Sequence, residues 1–109
     1  MKTISIARDF SATPGGRLTR DGPYSGEAFR KRFLEPGIDR GETLLVELDD
    51  VAGLPSSFLE EAFGGLFRRA NATARIRDQI KLTAKSTALR PYITLIDRYI
   101  DDAARRVRA

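Results

Sequence analysis

The sequence predicts an α/β fold, a small mixed β-sheet with helices packed on it, in the order β-β-α-β-α-β-α. Three observations carry that prediction. Short β-branched runs that alternate polar and apolar residues, at 3–8 and 79–83, stand apart from longer segments whose apolar residues recur three and four positions apart. The most apolar run of the chain, residues 43–48, lies between two of those helical segments. Capping or breaking residues, among them Ser25, Pro36, Ser57 and Pro91, mark the helix limits. Strands alternating with helices give helices layered on a sheet. At 109 residues and 12.1 kDa, the chain suits one domain, 1–109, because two cores would each fall below the size that folds unaided.

Each element follows from its residues. Thr3-Ile4-Ser5-Ile6-Ala7-Arg8 reads as a half-buried strand. Past the turn cluster Thr13-Pro14-Gly15-Gly16, residues 17–20 read as a return strand, making a hairpin. Ser25 caps a helix with Glu27 in its first turn and Phe29 and Phe33 on one face; Pro36-Gly37 stops it. Residues 43–48 read as a strand covered on both faces, ended by Asp49-Asp50. Ser57-Phe58-Leu59-Glu60 fits a capping box opening a helix with a continuous apolar stripe from Phe58 to Phe67. Gly64 and Gly65 inside that helix cost about 1 kcal/mol each relative to Ala, which implies a close backbone approach. Residues 79–83 form the last strand. The final helix carries Pro91 in its first turn and a stripe of Ile93, Ile96, Ile100, Ala103 and Val107.

Composition excludes several classes of function. The chain has no Cys and no His, so disulfides, thiolate chemistry, the usual zinc sites and His-dependent triads are all ruled out. No segment approaches the roughly 20 apolar residues of a membrane span. The N-terminus meets Arg8 and Asp9 too early for a signal peptide, so a cytoplasmic location is expected. Fifteen Arg against four Lys hint at a GC-rich, bacterial coding genome.

The net charge of +4 divides unevenly: +3 over residues 1–35, −6 over 36–67 and +7 over 68–109. Arg68, Arg69, Arg75, Arg77, Lys81, Lys85 and the tail Arg105-Arg106-Val107-Arg108 support nucleic-acid binding as a second reading. Against it stands the absence of a helix-turn-helix signature and of aromatics interleaved with those residues.

The strongest local site is the junction of the apolar strand and the following helix, with Asp49, Asp50, Ser56 and Ser57. Open α/β sheets place their crevices at strand C-termini, and a helix start offers free N–H groups to anions. Ser57 has a structural duty as a cap; Ser56, just before it, has none. Asp49-Asp50 suits a Mg²⁺ ion only with help from an outside phosphate, because neighbours on a strand face opposite ways. Pro14-Gly15-Gly16-Arg17 resembles a phosphate loop but lacks the Lys-Ser/Thr ending of one. No nucleophile is paired with a base, so no enzyme activity and no cofactor is expected.

The run from Leu44 to Phe58, an apolar strand ending in Asp followed by a Ser pair at a helix start, resembles the centre of STAS domains, the fold of bacterial anti-sigma factor antagonists. Residues 80–90, with Ser86 and Leu89-Arg90, are similar to the next strand and helix start of that fold. Residues 56–66, with 25–30 upstream, are closer still to an uncharacterised STAS-like bacterial family. The resemblance implies a regulatory, non-enzymatic partner switch. Ser56 would be the phosphorylated residue, and a histidine-kinase-like ATPase the protein partner. Pro55 stands where the family has Asp, and Phe58 where it usually has Gly. A small-ligand or nucleotide sensor, a role STAS folds also serve, is a third reading.

Overall fold

The computed structural model describes residues 1–107; Arg108 of the basic tail lies outside the described residues. Three strands form one sheet, β1 (Lys2–Ser5), β2 (Leu44–Glu47) and β3 (Ile80–Thr83). They lie in the order β1-β2-β3, both pairings are parallel, and Ile4, Val46 and Leu82 share one register position. Helix α1 spans residues 26–39, α2 spans 56–68, and α3 is Arg90–Arg105. The α/β class and the strand–helix alternation hold, but the sheet is parallel, not mixed, because the return strand at 17–20 does not form.

The reason lies in where the backbone of that segment bonds. The carbonyls of Gly16 and Arg17 accept the amides of Gly26 (2.9 Å) and Glu27 (3.0 Å) at the start of α1. Thr19–Asp21 then closes a tight turn, with the Asp21 carboxylate on the Leu18 amide at 2.9 Å. Groups that a second strand would pair with β1 are engaged by α1 instead.

β1 also ends sooner than its alternation predicts. The Ser5 hydroxyl accepts the Arg8 amide (3.1 Å), and Ser11 N–H reaches the Ile6 carbonyl (2.7 Å), closing a wide turn over Ile6–Phe10. The Lys2 amide donates to Thr43 across the ladder (2.9 Å), so the alternation of a parallel pair turns Ser5 N–H outward. The Asp9 carboxylate takes that outward amide at 2.8 Å.

Leu44, Val46 and Leu48 are fully buried under the helices, whereas Leu45 and Glu47 are half-exposed on the other face, beside exposed Thr3 and Lys81. β2 is therefore covered on one face, not two. Its apolar run is explained by Leu48 extending the buried face past the strand, and by a single off-face residue, Leu45.

Pro36 does not stop α1. A proline ring clashes with the carbonyl four residues back, and the wide turn Arg30–Leu34, in which the Glu35 amide donates to Arg30, opens the helix just before it. α1 ends instead at Gly41, whose φ of 75° lets its amide close on the Ile38 carbonyl (3.0 Å).

Where α1 crosses α2, a Cβ at Gly26 would collide with the Phe58 carbonyl and sit 3.0 Å from the Glu61 Cβ, so the expected backbone approach occurs at Gly26. Gly65 instead makes room for a guanidinium. Arg30, only 8% exposed, donates from Nε to Glu35 (2.9 Å) and from Nη1 to both the Glu61 carboxylate (2.6 Å) and its carbonyl (2.7 Å). α3 buries Ile96, Ile100, Ala103 and Ala104, with Ile93 and Val107 packed partly against the core.

Candidate functional site

Asp49 follows the buried Leu48, so the alternation carries it to the open face of the sheet, away from the helices. Its carboxylate accepts the amides of Lys85 (2.9 and 3.1 Å) and Ser86 (3.0 Å), which fastens the end of β2 to the loop between β3 and α3. Those amide bonds hold its pKa below the usual carboxylate range. Asp50 is exposed, with a φ of 74°, a left-handed conformation that Asp tolerates better than most residues. Together with Ser5, Arg8, Glu47, Lys85 and Ser86 they line a crevice of about 480 Å³ at the strand C-termini. Arg8 reaches Glu47 at 3.0 Å there. Among the described residues no three carboxylates converge to hold a metal ion, so the Asp49-Asp50 pair finds no third ligand for Mg²⁺.

Ser56 and Ser57 open α2 and do not line that crevice. The four predicted residues thus fall into two places, Asp49 and Asp50 beside Lys85 and Ser86, and the two serines at the helix start. The capping box is also corrected. Pro55, at φ −59° and ψ 141°, is the N-cap, and no side chain caps the helix. Beginning two residues early, α2 draws Ser57 into its first turn, where its hydroxyl no longer stands over the third amide. Glu60 turns to Arg17 and to Arg68 (2.7 Å) instead of back to Ser57. Burial pushes the Glu60 pKa up, but the Arg68 and Arg17 hydrogen bonds outweigh it and leave it lowered. Ser56 is exposed and Ser57 half-buried.

The start of α1 differs. Ser25 is fully buried and accepts the Ala28 amide at 3.1 Å, as a cap should. With Gly16 and Arg17 covering the next two amides, the Pro14–Arg17 segment serves this helix start, and no anion cradle is left.

Two features were not singled out from the sequence. One is the charged seam between the helices, in which Arg17, Arg30 and Arg68 surround Glu60 and Glu61. Pairs 31 or 43 positions apart carry no local signal. The other is an aromatic cluster around Phe10, with ring centroids 5.2 Å from Phe29, 5.5 Å from Tyr24, 5.7 Å from Phe33 and 6.3 Å from Phe58. The Arg32 guanidinium lies over Phe10 (5.6 Å) and Phe33 (5.2 Å). The Phe29/Phe33 spacing marked half of it.

Residues 25–87, more than half of the chain, match the model of the STAS-like domain of unknown function (DUF4325). The chain belongs to that family of STAS-like domains. The matched segment runs from the Ser25 cap to the loop that Asp49 fastens, so it contains both helix starts and β2 and β3. No curated protein and no solved structure gives a match. Membership points to a regulatory or interaction module, since STAS-like domains typically bind proteins and are generally not enzymes. Among the described residues no helix is long and apolar enough to cross a membrane.

Proposed function

We propose that this chain is a non-enzymatic partner-switch module of the cytoplasm. It docks through the start of α2 and the adjoining loops onto a protein partner, a histidine-kinase-like ATPase, and phosphorylation of Ser56 releases it. One observation supports this most: α2 starts on Pro55 without a side-chain cap, leaving the exposed Ser56 hydroxyl with no structural duty. A phosphate there adds about −1.5 to −2 charge at the positive end of α2, where the helix tolerates it. Glu60 and Glu61, already paired with arginines, add little repulsion. The modification therefore acts on the partner's approach and leaves the fold in place. Asp49 holds the neighbouring loop instead of serving Ser56 directly.

Nucleic-acid binding is less well supported, because Arg68, Arg69 and Arg77 are engaged by Glu60, Asp39 and Asp101. The test is titration of the ATPase with wild-type chain, Ser56→Ala and Ser56→Asp. Binding by the first two and loss by the third is expected. Equal binding by all three refutes the switch.

A further inference from the structure

We propose that Arg32, together with Phe10, Phe33 and Tyr24, forms a docking surface for an acidic segment of a partner protein; this rests on the reading above and specifies its partner's chemistry. Eight arginines (8, 17, 30, 40, 68, 69, 77 and 105) have a carboxylate within ion-pair distance; among the described residues Arg32 is one of six that have none, and of those six it alone lies over aromatic rings. It is exposed, and its contacts are the faces of two aromatic rings. Packing against the two rings restrains the guanidinium and leaves its N–H fork open to a carboxylate, which it can receive in two parallel hydrogen bonds.

The carboxylates of the adjoining segments are already engaged. Asp9 accepts the Ser5 amide, Asp21 the Leu18 amide, and Glu27 both the Thr19 amide and Lys31. The patch therefore presents a positive charge with no internal answer. Tyr24, 44% exposed and set edge-on against Phe10, supplies apolar area beside it. Arginine flanked by Tyr and Phe is the composition of interface centres. Phe10 also stacks on Phe58, in the same turn of α2 as Ser56. An acidic partner segment bound here runs toward Ser56, and a phosphate on Ser56 repels it by like charge.

The full chain, immobilised, is used to select from a display library of random twelve-residue peptides, and the selected peptides are titrated by fluorescence anisotropy. Twelve-residue oligothymidylate is titrated in parallel. Selected peptides should carry two or more Asp or Glu beside an aliphatic or aromatic residue. Arg32→Ala should weaken them at least tenfold, Tyr24→Ala less, and Arg32→Lys should restore only part of the affinity. Thermal melts confirm that each variant is folded. Selection of peptides without acidic residues, equal affinity for Arg32→Ala, or no selected peptide at all overturns the surface. Oligothymidylate binding that Arg32→Ala abolishes, without acidic peptides, reassigns the surface to nucleic acid and overturns it as well. If the ATPase binds and responds to Ser56→Asp but ignores Arg32→Ala, the switch stands and this surface alone fails.

Discussion

α1 and α2 begin in similar ways in sequence and in opposite ways in structure. At α1, Ser25 is buried and capping, and the loop carbonyls of Gly16 and Arg17 complete the turn. At α2, Pro55 supplies only its backbone, and the hydroxyls of Ser56 and Ser57 cap nothing. A serine before an apolar helix is thus two different objects, a structural part where the chain folds back over it and an unoccupied group where it does not. What decides between them is the preceding loop. Residues 11–25 lie against their helix, while residues 49–55 hold to the neighbouring loop through the Ala52 amide on the Ala12 carbonyl (2.7 Å).

The largest effect is expected where the two helices are joined. Arg30→Met takes from the largely buried Glu61 and Glu35 their nearest cation, leaving Arg17 and Arg68 at 3.6 Å from Glu61 and Arg69 at 3.9 Å from Glu35, and should cost about 3 kcal/mol in denaturant unfolding. A loss below 1 kcal/mol would show that the helices do not depend on this contact.

Acid should come next. Glu27 is lowered to about 2, first by the Lys31 hydrogen bond and then by the Thr19 amide. Asp49 and Glu60 are lowered as well. Groups of this kind contribute stability above their unfolded pKa and lose it as the pH falls through the folded one. Unfolding by acid should therefore begin below about pH 4.5 and continue toward pH 2. Asp97 has the opposite sign, raised by burial and then by Asp101, so Asp97→Asn should raise the melting temperature at pH 7 and not at pH 3.

Ser25→Ala should destabilise by about 1 kcal/mol. Ser57→Ala should stay within about 0.5 kcal/mol of wild type, since no capping bond is lost. Equal losses at the two positions, read from paired denaturant melts, would erase the distinction between the helix starts.

Much of this was legible from residue patterns. β2, β3, the Ser25 cap, Pro91 in the first turn of α3 and the STAS-like family all follow from periodicity, local chemistry or resemblance. The failures share one physical cause. The Gly16 and Arg17 carbonyls are engaged by amides ten positions away, so a plausible strand becomes a helix cover. Pro36 is accommodated by a wide turn that no residue type announces. Pro55 and Ser57 are both acceptable helix starts, and only the folded chain chooses. At the site, the serines and aspartates are close in sequence, yet the change of face after Leu48 separates them.

The carboxylate of Asp9 has a consequence for solubility. A sheet whose first strand lies at its edge offers a template on which another chain can add a strand, and edges of this kind drive aggregation. In β1 the outward amide of Ser5 is already occupied by an acceptor from four residues further along the same chain. An incoming strand would have to displace an ionised group to pair there. The edge is stoppered from within, so a substitution at Asp9 should register in colloidal behaviour more strongly than in the melting temperature.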